Sequence, residues 1–124
     1  EADLVFEHSF AVPWIHQAYL EPHACLVQID KAGRVQIWAN NKAPFGLRAQ
    51  LAAAAQLEPE RIVIHPSYIG GDFGGKGDFM DVPVCYFLAN AAGRPVKMVM
   101  TYMEEFMAGN PRHQAVMTMG GVGI

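Results

Sequence analysis

Chemistry in this chain is concentrated in one stretch, Gly70-Gly-Asp-Phe-Gly-Gly-Lys-Gly77, where five of eight residues are glycine. A structural turn needs one or two. Five free the backbone to approach a ligand and to aim N–H groups at it, which suits an anion or a cofactor. Gly70, Gly75 and Lys76 satisfy the G-x-x-x-x-G-K of a phosphate-binding loop. Gly77, however, stands where a Ser or Thr hydroxyl should hold magnesium, and Asp72 puts a carboxylate inside a loop meant for phosphates. The phosphate-loop reading fails on those two residues. The dinucleotide pattern G-x-G-x-x-G is absent.

The other reactive side chains point to structure. His8, His16, His23, His65 and His113 show neither H-x-x-x-H nor H-E-x-x-H spacing, so a zinc site is not indicated. Asp78 with Asp81, or Glu104 with Glu105, could form acid/base pairs. Asp81 is better placed as a helix cap, and the glutamates as a solvated face. Cys25 and Cys85 lie far apart without paired spacing, which reads as two small buried residues rather than a disulfide framework. Trp14, Tyr19 and Trp38 lack basic neighbours and are expected in a core or an interface. No nucleophile motif is present.

The elements that must position the loop can be read from periodicity. Leu4, Phe6 and His8 alternate with Val5, Glu7 and Ser9, the two-residue period of a strand ended by Pro13. That strand is expected to pair with something outside the chain. Ala24 to Ile29 and Val35 to Ala39 flank Lys31-Ala-Gly-Arg34 as a hairpin. Asn40 or Asn41 can cap a helix with Pro44 in its first turn, and Leu47, Leu51, Ala54 and Ala55 fall on one face. Glu58-Pro-Glu60 stops it, and Arg61 to His65 is a strand. After the loop, Val82 to Ala92 is apolar nearly all round and is expected to be buried. Gly93 and Pro95 close that helix, Val96 to Met100 is a strand, Glu104 to Met107 a short helix, and Ala115 to Met119 a last strand. The order predicts an α/β (α+β) fold: a two-layer unit with a mixed sheet and helices packed on one face.

Bulk properties set the class. Hydrophobic residues at 52% against 17% charged exclude disorder. A surface so poor in charge suits a domain partly covered by more protein. The net charge of −3 comes without a basic stretch, which argues against nucleic acid. No apolar run approaches the ~18 residues of a membrane span, and no signal-like N-terminus is seen. The chain starts on Glu1 without methionine and stops on Gly-Ile124 in what reads as mid-element, the pattern of a fragment.

The loop resembles the G-G-x-F-G-G-K signature of the molybdenum hydroxylases, the family of xanthine dehydrogenase, aldehyde oxidase and aerobic carbon monoxide dehydrogenase. Other segments are similar in order and spacing: Tyr19-Leu-Glu-Pro22 with Ala24, Trp38 through Leu51 with Pro44 and Arg48, Gly93-Arg-Pro-Val-Lys97, and Glu105-Phe106 with Arg112-His113. The resemblance implies that residues 1–124 are part of the molybdopterin-binding domain of a longer large subunit. That subunit would hydroxylate an aldehyde or N-heteroaromatic carbon with oxygen from water. The cofactor would be molybdopterin, usually the cytosine dinucleotide in bacteria. Iron–sulfur clusters and a flavin or other acceptor are expected on other domains or subunits, in the cytoplasm or, alternatively, the periplasm.

The resemblance places Gly70, Gly71, Phe73, Gly74 and Gly75 at the cofactor. The backbone of Phe73 and Gly74 would approach an apical ligand of molybdenum, a task suited to fixed backbone donors. Lys42 aligns with a glutamine that reaches the metal's ligand in many relatives; it would bring a positive charge there or turn away. Gly77 aligns with a substrate-binding glutamate of the purine hydroxylases. No catalytic residue is expected in the chain itself, because the family's glutamate base lies in a far C-terminal segment. The rival reading is a free-standing binding domain with the same fold and no catalysis.

Overall fold

A computed structural model describes residues 3–77 and 79–123, so readings that rest on Glu1, Asp78 or Ile124 lie outside the described residues. The chain divides into two compact units, one built from the segments up to His16 and from Pro111 onward, the other from Gln17–Asn110.

The first unit is a two-stranded antiparallel ribbon of β1 (Leu4–Val12) and β6 (Ala115–Gly123), in register from Leu4 opposite Gly123 to Val12 opposite Ala115. The N-terminal strand therefore finds its partner within the chain, which corrects the expectation of an outside one. Sequence adjacency could not show a pairing between the two ends. The last strand also runs past the expected end at Met119, to Gly123. Gly121 is required there because the Phe6 ring lies across it: a Cβ would sit 2.6 Å from the ring. A two-stranded ribbon makes no core of its own, and Phe6, Phe10, Val116 and Met119 are exposed.

The second unit carries the loop. β2 (Ala24–Ile29) and β3 (Val35–Ala39) form the expected hairpin. Its turn is closed by the Asp30 carboxylate, which accepts from the Ala32 and Arg34 N–H groups, with Gly33 at φ +74°. β4 (Ile62–His65) lies parallel to β3, and β5 (Val96–Val99) antiparallel to β2, giving the mixed order β4-β3-β2-β5. Alternation sends Cys25, Val27, Val35, Ile37 and Ile62 to one face, where α1 (Pro44–Ala55) and α2 (Val82–Ala92) cover them. The two-layer mixed-sheet prediction holds. Burial pushes the thiol pKa of both Cys25 and Cys85 up, so both behave as the small buried residues expected.

Several local expectations change. Ala43, not an asparagine, is the residue before α1; Asn41 Oδ1 accepts from the Ala43 N–H, and Asn40 instead ties Ala24 N–H to the Pro22 carbonyl. The buried face of α1 uses Leu47, Leu51 and Ala52, while Ala54 is exposed. Asp81 holds the cap position of α2 without a side-chain capping bond, because its carboxyl is buried beside the Cys25 thiol. α2 is not buried all round: Val82, Cys85, Tyr86 and Ala89 pack inward, and Val84, Phe87 and Leu88 are each half exposed. Only one layer of the unit lies against that helix.

Candidate functional site

The loop links β4 to α2, and its conformation is set largely by its own carboxylate. Asp72 accepts from the N–H groups of Gly74 (3.1 Å) and Lys76, and from Lys42 Nζ at 2.7 Å. The Gly75 N–H closes a turn onto the Asp72 carbonyl at 2.7 Å. Burial pushes the Asp72 carboxyl up, but the Lys42 ammonium and the N–H groups of Lys76 and Gly74 outweigh it and hold its pKa below the usual range. The interior of the loop is thus filled by an anion the chain supplies itself, which is the physical reason it is no phosphate cradle.

A second carboxylate braces the loop from outside. Glu21 Oε2 accepts from the Gly70 N–H at 2.7 Å and from Lys76 Nζ. Desolvation raises the Glu21 pKa, and these bonds more than reverse it. Lys76 is completely buried, its ammonium 5.0 Å from the centre of the Tyr19 ring. Lys42 backs the loop from the other side, its N–H donating to the Lys76 carbonyl at 2.9 Å. Its ammonium pairs with Asp72, inside the loop.

Four of the five glycines are closely packed, Gly70 and Gly75 most tightly. A Cβ at Gly70 would meet Glu21 at 2.8 Å, at Gly71 the Phe73 ring at 3.0 Å, at Gly75 the Tyr19 ring at 2.5 Å, and at Gly77 the Lys42 stem at 3.2 Å. Gly74 differs: its φ is +97°, and a Cβ there would have nothing within 4 Å. Phe73 before it adopts φ +44° and is 64% exposed. A non-glycine left-handed residue costs about 1–2 kcal/mol, and such outliers persist where the surroundings over-determine them. Phe73 and Gly74 form an exposed crest above a braced base, with open space over Gly74. That shape fits a group recognised by backbone at close range.

Four braces, Tyr19, Glu21, His23 and Glu105, were missed as site residues. Glu105 in α3 (Tyr102–Ala108) was expected on a solvated face, yet it is 1% exposed. Only Glu104 behaves as expected, closing a capping box with Thr101. Glu105 Oε2 accepts from the His23 N–H at 2.7 Å; its Oε1 lies 2.7 Å from His23 Nδ1 and accepts the Tyr19 hydroxyl. Burial raises the Glu105 pKa, and the bonds from Tyr19 and His23 outweigh it. The only sequence signal for these residues was their place in motifs that carried no assigned role.

Two clefts flank the base. One of about 360 Å³ is lined by Glu21, Leu26, Trp38, Tyr68, Lys97 and Val99 on the sheet face that the helices leave open. The other, about 270 Å³, lies beside Lys42, Pro44, His65 and Ile69. Trp38 stacks on His65 at 4.3 Å, and His65 Nε2 bonds Gln36 at 2.8 Å. No group of three or more metal-ligating side chains occurs among the described residues, and no helix among them is long and apolar enough to cross a membrane.

Comparison with known proteins follows the same line. The family described as "Molybdopterin cofactor-binding domain" matches residues 1–121. A protein of Escherichia coli O157:H7 named "Probable hypoxanthine oxidase XdhD" is 31% identical over 119 residues, 96% of this chain and 12% of that protein. The reconstituted CO dehydrogenase from Oligotropha carboxidovorans superposes with a TM-score of 0.87 at 25% identity, over 99% of this chain and 16% of that one. Quinoline 2-oxidoreductase from Pseudomonas putida 86 shares the fold with a TM-score of 0.89 at 20% identity, over 98% of this chain and 16% of its own. The chain thus spans about an eighth to a sixth of the length of these proteins.

Proposed function

Because the chain belongs to the molybdopterin cofactor-binding domain family, we propose that its glycine loop holds the metal end of that cofactor through the backbone of Phe73 and Gly74. The observation that carries this reading is the strained, open crest: φ +44° and +97° at adjacent residues, with free space over Gly74. Gly70, Gly71 and Gly75 serve it indirectly, by letting Glu21 and Tyr19 come close enough to fix the loop. Lys42 supports the loop through Asp72 and the Lys76 carbonyl. When bound, the molybdenum cofactor would supply the two-electron redox chemistry for hydroxylating a substrate carbon with oxygen from water. The chain's own part is to position and to exclude side chains.

In the full-length protein, Gly74→Val tests this. A β-branched residue at φ +97° strains the loop and fills the approach, so activity should fall by roughly a hundredfold or more while the fold persists. Near-normal turnover would make the loop structural only.

We further propose that the parent enzyme prefers an aldehyde or N-heteroaromatic substrate to a purine. Gly77 offers no carboxylate, and the Lys42 stem occupies the space a side chain would need. A buried purine edge without a partner leaves polar atoms unsatisfied at about 1–3 kcal/mol each, roughly ten- to a hundredfold in selectivity. The name of the Escherichia coli relative favours the purine alternative. The deciding comparison is kcat/KM for hypoxanthine, an aromatic aldehyde and a quinoline-type heterocycle; a clear purine preference would overturn our reading.

The same proposal assigns the remaining cofactor contacts to the rest of a large subunit. It places iron–sulfur clusters and a flavin or other acceptor on further domains or subunits, the cofactor in its cytosine dinucleotide form, and the enzyme in the cytoplasm. The fraction of each relative that this chain spans supports a longer parent.

A further inference from the structure

Three segments far apart in sequence meet in one hydrogen-bonded network around Tyr19. Glu105 on α3 holds the His23 backbone and ring and the Tyr19 hydroxyl. Tyr19, 2% exposed, carries Gly75 and Lys76 on its ring, close enough that a Cβ on Gly75 would overlap Cε1 at 2.5 Å. Lys76 then reaches Glu21, which holds the Gly70 N–H. No regular secondary structure fixes the floor of the loop, for Gln17 to Leu20 lie outside the helices and strands and Ala18 sits at φ +53°. The Tyr19 hydroxyl bonds Glu105 and lies 3.4 Å from His23 Nδ1, so the buried ring is held at its polar end.

We propose that Glu105 and Tyr19 are positioning residues for the Phe73–Gly74 crest, acting through the Tyr19 ring beneath Gly75 and Lys76. The proposal rests on the reading of that crest as the cofactor contact. One buried carboxylate accepts from two residues of the 19–23 segment, so weakening it frees the loop's floor without emptying the main core, whose residues belong to the sheet, α1 and α2. A displacement of ~1 Å at a reacting group can cost roughly a hundredfold in rate, so a small tilt of the ring is enough to matter.

The test uses the full-length protein with Tyr19→Phe, which keeps the ring, and Glu105→Gln, which keeps the shape. Leu51→Ala, in the α1 core, serves as a comparator that lowers stability elsewhere. Three quantities are read: hydrogen exchange of the peptide covering 70–77, molybdenum per polypeptide, and kcat and KM on the preferred substrate of the comparison above. Both network variants should raise loop exchange about tenfold. They should also lower bound molybdenum or kcat about tenfold, with KM within about twofold. Leu51→Ala should lower the thermal midpoint with loop exchange unchanged. Wild-type loop exchange in both network variants would overturn the positioning role. Raised exchange with wild-type molybdenum and kcat would keep that role and overturn the cofactor reading instead.

Discussion

Replacing Gly75 by alanine separates packing from backbone strain in the loop. The added methyl would lie 2.5 Å from Tyr19 Cε1 and 3.1 Å from its hydroxyl oxygen, close to an ångström inside normal contact. The ring cannot retreat easily, being buried and bonded to Glu105 with Lys76 above it. Over-packing of this kind costs about 1–3 kcal/mol. Gly75 does not have a positive φ, so alanine also recovers about 0.4–1 kcal/mol by restricting the unfolded chain. The net loss is about 1–2 kcal/mol. With a urea dependence of about 1–2 kcal/mol per molar, the unfolding midpoint of the 124-residue chain should fall by about 1 M. Trp38 fluorescence in a Trp14→Phe background reports the unit that holds the loop. Gly74→Ala should cost a comparable ~1–2 kcal/mol, but through its φ of +97° rather than through contact. Adding Tyr19→Leu should therefore relieve Gly75→Ala and leave the Gly74→Ala penalty in place. An unchanged midpoint for Gly75→Ala, or equal relief of both variants, would refute the assignment of Tyr19 as the floor of the loop.

The remaining predictions concern charge and completeness. Asp72 has a folded pKa below its ordinary 3.8, so its contribution is present above that value and is lost as pH falls through the folded pKa. The gap in urea midpoint between wild type and Asp72→Asn should be constant above about pH 5 and shrink below about pH 4; a gap that persists to pH 2 would mean the carboxylate's charge does not brace the loop. The isolated 124-residue chain should neither retain molybdopterin nor turn over substrate, since one domain supplies only part of the contacts and preorganisation. Stoichiometric molybdenum in the purified chain would contradict this.

Local patterns were enough for much of the second unit. The apolar run Ala24–Ile29 and the returning Val35–Ala39, with a turn between, marked the hairpin, and the proline and glycine signals around Val82 to Ala92 bounded α2. The glycine loop stood out because five glycines in eight residues have no purely local explanation. Its internal logic did not stand out. Four of those glycines lie close under Glu21, Phe73, Tyr19 and Lys42, and three of those four residues stand far from the loop in sequence. Glu105 carried the opposite error. Beside Glu104 it looked solvated, yet a buried carboxylate is tolerated once Tyr19 and His23 satisfy it, and that satisfaction exists only in the folded chain. The pairing of Leu4–Val12 with Ala115–Gly123 was equally hidden, because strand register between chain ends is written in side chains that meet only in space. Sequence alone marked the stretch of backbone that carries fewest side chains. Tertiary structure decided which glycine has open space above it, because only packing shows how closely Glu21, Phe73, Tyr19 and Lys42 approach the other four.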